Sequence, residues 1–139
     1  MKPSCLAAIF YAVGGVLAML SVGIAAFAAH GLPHVASANE RAPLLFQRGT
    51  EFQMTHALAL ILITIVADRL MPGLARHVLW AAAALMIAAS VLFPSALYAS
   101  AFDKPHFWAP WGGVSAMIGW LLFAVGAVMT IRAEIPPPP

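Results

Sequence analysis

The sequence predicts an all-α integral membrane protein built as a bundle of four transmembrane helices. Hydrophobic residues make up 63% of the 139 residues and charged residues only 9%, against about 45–50% and about 25% in typical soluble domains. Mean hydropathy is +0.91. The apolar surface exceeds what a soluble fold could hide, so we expect it to face a lipid bilayer.

The uncharged stretches of the chain predict where the helices lie. A helix needs about 20 mostly apolar residues to cross about 30 Å of hydrocarbon. Three stretches meet this length, and a fourth lies between the first two. We therefore expect a single transmembrane domain over residues 1–135, with spans at about 6–29, 48–67, 78–101 and 109–131, followed by a proline tail at 136–139.

The second span has the shortest uncharged run of the four. The run from Phe52 to Ala67 would cover only about 24 Å as a helix, so we extend it back to Arg48, which gives about 30 Å. The Arg48 side chain can reach the lipid headgroups from there. Asp68 and Arg69 mark the other end of the span.

Basic residues predict the orientation of the four spans. Four spans place both termini and the loop between helices two and three on one side of the membrane. That side holds four basic residues and the other side three: Lys2, Arg69, Arg76 and Arg132 against Arg41, Arg48 and Lys104. The bias predicts that both termini of this multi-pass protein lie in the cytoplasm.

Several classes of site are excluded or not expected. The single cysteine, Cys5, rules out an intrachain disulfide, a cysteine-rich zinc site and an iron–sulfur cluster. The basic residues are scattered and the formal charge is only +2, so we expect no nucleic-acid partner. No metal site and no cofactor are predicted.

Small residues spaced four apart predict close helix contacts. Such pairs let two helix backbones approach in a bilayer, where packing drives association. We expect these contacts to hold the bundle together, with a homo-oligomer interface as the alternative. The residues concerned are Gly14, Ala18, Ala25 and Ala29 of helix one, Ala84 and Ala88 of helix three, and Gly112, Gly113, Ser115, Ala116 and Gly119 of helix four.

A series of short motifs resembles a known family. In order along the chain these are Ala26 to Leu32, Phe52 to Leu60, Phe93 to Tyr98, Pro110 to Val114 and Gly119-Trp120. They are similar to the YgdD-like small membrane proteins, catalogued as domain of unknown function 423, whose eukaryotic members are called transmembrane protein 256. The resemblance covers about residues 10–128.

That resemblance implies an inner-membrane protein of about four helices with no established activity and no catalytic residues. The sequence departs from the family pattern at three positions, where Pro94, Ala96 and Trp111 replace smaller or more polar residues. We therefore expect no hydroxyl-dependent role at these three positions.

Polar residues concentrate toward one end of the predicted bundle. Four of the five histidines fall there: His30, His34, His56 and His106. Ionisable groups inside a membrane span are costly and are functional candidates by default. The candidate functional cluster consists of His30, Glu51, Gln53, His56, Ser95 and Tyr98.

The histidines of this cluster have two interpretations each. His30, followed by Gly31, is typical of a helix C-terminus, with ligand binding or proton handling as the alternative. His56, about one turn inside helix two, is expected to hydrogen-bond with Ser95 or Tyr98 of helix three, with ligand binding or proton handling as the alternative. A His30 and His56 pair that binds metal or haem is the weakest alternative, because no metal-binding spacing occurs.

Two further contacts are expected on helix two. Arg48 and Glu51 are three residues apart, so an ion pair between them would form an interfacial anchor. Gln53 shares a helix stripe with His56 and offers it a polar neighbour.

The sequence favours a non-enzymatic membrane protein that packs against itself or another membrane protein as an assembly or accessory subunit. A small oligomeric transporter or channel is the first alternative, and a histidine-based metal or haem protein is the second. Proton-coupled transport is disfavoured because no acidic residue is expected deep in a span.

Overall fold

The computed structural model describes residues 3–35 and 37–133 and contains four α-helices. They are α1 (Cys5–His30), α2 (Ala42–Arg69), α3 (Leu74–Ser100) and α4 (Ala109–Ala133), with a short 3-10 helix at Leu32–His34. All four are long and apolar enough to cross a membrane. The all-α, four-helix membrane fold is thus confirmed, while the expected proline tail at 136–139 lies outside the described residues.

Helix α2 begins at Ala42 rather than at the predicted Arg48. Pro43 lies in the first turn of α2. A proline is well tolerated there because the backbone N–H groups of the first turn have no partner within the helix. The helix therefore has 28 residues, about 42 Å at 1.5 Å per residue. As a result, residues 48–56 lie nearer the middle of α2 than the sequence predicts.

The helices pack in chain order, with α2 and α3 at the centre of the bundle. Each helix contacts the next, and the described residues form no comparable interface between α1 and α4. Half of the α2 span is buried within the protein, against 22% for α1 and for α4. Leu60, Ile63, Leu79 and Met86 are fully buried at the α2–α3 contact. The outer helices therefore offer most of their surface to lipid.

Glycines let α4 approach α3 closely. Gly112 and Gly119 are buried, and a Cβ at either position would come within 3.0 Å of α3, at Phe93 and Met86 respectively. Ala116, between them on the same face, is also buried. Gly113 was predicted on this face, and that prediction is wrong because a Cβ there would meet no atom within 4 Å.

On the other helices, the small-residue prediction holds in part. Gly14 faces Ile61 of α2, and Ala18 packs against the same core. The predicted pair Ala25 and Ala29 is exposed, as is Ala84 of α3. A spacing of four does not say which side of a helix meets its neighbour. The buried face of α3 is formed instead by Ala82, Ala83, Met86 and Ala89.

Hydrogen bonds close the end of the bundle near the N-terminus. Ser4 Oγ donates to Asp68 Oδ1 at 2.5 Å and accepts from the N–H of Ala7 at 3.2 Å. The Arg76 guanidinium lies 3.8 Å from Asp68 Oδ1. Asp68 thus joins the start of α1, the end of α2 and the start of α3.

A second set of hydrogen bonds closes the opposite end. The Asn39 side-chain amide donates to the Ser100 carbonyl and to Asp103 Oδ1, both at 2.8 Å. Its backbone N–H donates to the Ala101 carbonyl at 3.0 Å. Asp103 has a φ of 54°, a left-handed conformation that Asp adopts more readily than most residues. The loop before α2 is therefore fixed to the end of α3.

Candidate functional site

Contacts between the helices place Gln53 and His56 near the middle of the helix bundle. Gln53 Nε2 donates to the carbonyl of Leu17, which is midway along α1. His56 contacts Trp120, near the middle of α4. The sequence placed His56 one turn inside the helix, and this was wrong because α2 begins earlier than predicted.

Gln53 links three helices through its side-chain amide. It donates to the Leu17 carbonyl of α1 at 3.2 Å and accepts from the Tyr98 hydroxyl of α3 at 3.2 Å. The Tyr98 ring lies against Gly49, where a Cβ would collide with it. Gly49 therefore creates the space that lets Tyr98 reach Gln53.

The imidazole of His56 is buried and both its nitrogens have partners. Nδ1 lies 2.8 Å from the carbonyl of Phe52, and Nε2 accepts from Trp120 Nε1 at 3.3 Å. A carbonyl only accepts and an indole N–H only donates, so this network assigns the neutral tautomer with its proton on Nδ1. The expected interhelical hydrogen bond exists, but its partner is Trp120 and not Ser95 or Tyr98.

The Ser95 hydroxyl, which also belongs to the predicted cluster, contacts Trp108 and not His56. Ser95 Oγ accepts from Trp108 Nε1 at 3.1 Å and donates to the Leu92 carbonyl at 3.1 Å. Trp108 directly precedes α4. Ser95 therefore fixes the start of α4 to α3 and contributes nothing to the His56 environment.

His30 lies apart from the other predicted site residues. It is the last residue of α1 and is exposed, with Gly31 as the C-cap. His56 is level with the middle of α1, so about 20 Å of helix separates its depth from that of His30. The structure therefore does not bring these two histidines together. No group of three metal-ligating side chains occurs in the part of the chain that the structure describes.

Four polar residues of α2 face outward and form what we call the polar stripe: Gln47, Arg48, Glu51 and Thr55. Gln47 Nε2 donates to Glu51 Oε1 at 2.9 Å, and Thr55 Oγ1 donates to the Glu51 backbone carbonyl at 2.8 Å. The predicted ion pair between Arg48 and Glu51 is wrong. Residues 3–35 and 37–130 contain no such pair within 4.0 Å.

The polar stripe stands between two open grooves. One, of about 430 Å³, lies between α1 and α2 and includes Ser21 and Met54. The other, of about 330 Å³, includes Phe93 of α3 and the edge of His56. Glu51 and Thr55 line both grooves, so they form a ridge that a neighbouring molecule can contact from either side.

If the middle of α2 is taken as the middle of the bilayer, we expect Glu51 to lie inside the hydrocarbon layer. The middle of α2 falls between Thr55 and His56, so the Glu51 Cα is about 7 Å from that level. Half of a bilayer core is about 15 Å. This position departs from the expectation that no acidic residue lies deep in a span, and the depth of Glu51 in the bilayer stays a prediction.

Comparison with known proteins identifies the family. The model of the family described as "Protein of unknown function (DUF423)" matches residues 24–119. The chain belongs to this family. It is 33% identical over 130 residues to the UPF0382 inner membrane protein YgdD of Escherichia coli (strain K12), covering 91% of this chain and 92% of the relative.

A second relative gives the same result. The chain is 32% identical over 124 residues to the UPF0382 membrane protein YwdK of Bacillus subtilis (strain 168), covering 86% of this chain and 96% of the relative. No solved structure matches this chain. The chain is thus a multi-pass membrane protein of the DUF423 family, as its motifs predicted.

The matched segment of the DUF423 family contains the residues that define the site. Residues 24–119 include the polar stripe, Gln53, His56 and Tyr98. Trp120, the partner of His56, directly follows this segment. The site therefore belongs to the part of the chain on which family membership rests.

Sequence reasoning missed the partners that complete these contacts: Ser4, Asn39, Gln47, Asp68, Trp108 and Trp120. Trp108 directly precedes the predicted fourth span, where a tryptophan is common at the membrane interface, so its position gave no sign of the contact with Ser95. Trp120 stood in a family motif, but no spacing rule connects it to His56, which is 64 residues away.

Proposed function

We propose that this DUF423 protein is a non-enzymatic accessory or assembly subunit of the bacterial inner membrane, which docks on a membrane-protein partner through the polar stripe of α2. One observation carries the proposal. The interior polar groups all have internal hydrogen-bond partners within the described residues, whereas the polar stripe faces outward on α2.

The interior gives no sign of a reactive group. The hydroxyls of Thr50, Thr64 and Ser90 all donate to backbone carbonyls of their own helices. No buried side-chain nitrogen or oxygen lacks a hydrogen-bond partner within the described ranges. Groups held this way serve packing, since a nucleophile needs a nearby base and an open approach.

The polar stripe has the opposite character. Placing an ionisable side chain against lipid is unfavourable, by on the order of 2.5–3.5 kcal/mol for Asp, Lys or Arg at a helix centre. Arg48 can extend toward the headgroups. Glu51 is too short to do so, and Gln47 supplies one donor to only one of its oxygens. A docked protein that supplies further donors would offset this cost.

A small oligomeric transporter is the second candidate, and Glu51 favours it. Proton-coupled transport needs an ionisable group within the membrane, and Glu51 lies there beside two grooves. In vesicles containing the purified protein, proton flux that Glu51→Gln abolishes would support this candidate over docking.

A histidine-based metal or haem protein has less support. Both nitrogens of His56 are engaged by Phe52 and Trp120, so a metal could bind only after these contacts break. A stoichiometric metal or a Soret band in the purified protein would favour this alternative.

Purification in mild detergent tests the proposal. The wild type should carry a protein partner in fixed stoichiometry without visible absorption, and Glu51→Leu should lose it. Met117→Leu is the matched control, because Met117 is 74% exposed on α4, near the depth of the stripe. Equal retention of the partner by both variants, or a wild type without any partner, would contradict the proposal.

A further inference from the structure

The outward face of α2 has a spacing typical of helix pairing. Exposed residues occur along it at intervals of four and three: Leu44, Arg48, Glu51, Thr55, Leu58 and Leu62. This alternation is the a and d pattern of a heptad repeat, in which two helices meet along a shallow left-handed crossing. The polar stripe thus forms the central part of a continuous seam.

The apolar parts of this seam lie on both sides of the charged part. Leu44 is 48% exposed, Leu58 50% and Leu62 61%. In a heptad seam, such leucines pack as knobs into a partner helix, while polar residues fix its register. The spacing therefore points to a helix as the partner.

The two charged residues of the seam, Arg48 and Glu51, are complementary to Glu51 and Arg48 of a second copy of the chain. In a two-fold dimer whose axis is normal to the membrane, both copies of α2 run in the same direction and each residue lies at the same depth in both. Arg48 and Glu51 are one turn apart along α2, about 4.5 Å in height. A long arginine side chain spans that offset, so each Arg48 can pair with Glu51 of the other copy.

We propose that α2 pairs with α2 of a second copy of this chain, through the seam from Leu44 to Leu62 and with reciprocal Arg48–Glu51 contacts. The inference rests on the proposed docking function and names its partner. It gives the Glu51 carboxylate the cationic donor that its own chain does not supply within the described residues.

Cysteine cross-linking in native membranes tests the pairing. Cys5, which is exposed at the start of α1, is first replaced by Ala. With copper phenanthroline and air added as the oxidant, Thr55→Cys should then form a disulfide-linked species of twice 14.6 kDa, whereas Met117→Cys, at a similar depth on α4, should not. Failure of Thr55→Cys to exceed Met117→Cys would overturn the dimer.

Charge variants test whether the pairing is between copies. Glu51→Arg makes the seam wholly basic and Arg48→Glu makes it wholly acidic, so each alone should lower the Thr55→Cys dimer yield by roughly tenfold. Co-expressed with different tags, the two variants should restore a mixed dimer. Within each variant, positions 48 and 51 carry charges of the same sign. A restored dimer can therefore come only from contacts between the two variants.

The outcomes separate this inference from the proposed function. Equal yields for the single and mixed combinations would overturn the reciprocal contact. A Thr55→Cys adduct to a protein of different mass, without self-linking, would overturn the dimer and leave the docking function standing. Helicity of each purified variant, measured by circular dichroism, shows that a lost cross-link does not reflect unfolding.

Discussion

In the middle of the helix bundle, polar side chains form hydrogen bonds with other helices in place of water. Gln53 contacts α1 and α3, and His56 contacts α4. From the sequence alone, the cost of an unpaired imidazole in a span predicted that His56 would bond to another helix. The partner could not be predicted, because it depends on how two non-adjacent helices cross.

We predict that the His56–Trp120 hydrogen bond is structural and weak. His56→Phe and Trp120→Phe should each lower stability slightly, and a double-mutant cycle should give a coupling near about 0.6 kcal/mol, the average for such bonds in membranes. Unfolding by denaturant in detergent micelles measures it. A coupling of zero would show that the two side chains do not interact.

Helix packing depends on which of two neighbouring small residues faces the contact. Gly112 and Gly113 are adjacent, yet only Gly112 is pressed against Phe93. The sequence identified the α4 stripe from its spacing, but it also included Gly113 and the exposed pair Ala25 and Ala29. Spacing predicts that a contact face exists, and only the neighbouring helix determines its direction.

We predict that Gly112→Ala destabilises the bundle and that Gly113→Ala does not. The new methyl group at Gly112 would force α3 and α4 apart, and such overpacking typically costs about 1–3 kcal/mol. At Gly113 the same methyl meets open space. Thermal unfolding of both variants in one detergent gives the comparison, and equal melting temperatures would refute the close α3–α4 contact.

We also predict that Asp68 holds three helix ends together. Asp68→Ala would remove the acceptor of Ser4 and the ion-pair partner of Arg76, at a cost of about 1–3 kcal/mol for the group left unsatisfied. Arg69→Ala, which changes an exposed neighbour, is the control. Proteolysis at the bundle end should accelerate for Asp68→Ala alone, and equal rates would argue against the role.

At the scale of the whole molecule, composition and uncharged runs were sufficient to predict the fold class and all four helices. The start of α2 was not predicted, because charged residues such as Arg48 were taken as the limit of the span. The middle of the longer helix is two residues, about 3 Å, closer to Glu51 than the middle of the predicted span is. The candidate site changed with it, from an interfacial cluster to an outward polar stripe.

We predict that both ends of the chain lie in the cytoplasm, since Arg69 and Arg76 stand at the α2–α3 end of the bundle. A reporter enzyme active only in the periplasm, fused after Pro139, should be inactive, while the same reporter inserted after His34 should be active. The reverse pattern would invert the proposed orientation.

We propose that the polar stripe lies inside the bilayer and is covered by protein. Spin labels at Thr55→Cys and Met117→Cys, in a Cys5→Ala background in lipid vesicles, test it through collisions with oxygen, which concentrates in lipid, and with a water-soluble relaxation agent. We expect the Thr55 label to be shielded from both and the Met117 label to be open to oxygen. A Thr55 label as open to oxygen as Met117, or open to the water-soluble agent, would contradict the account.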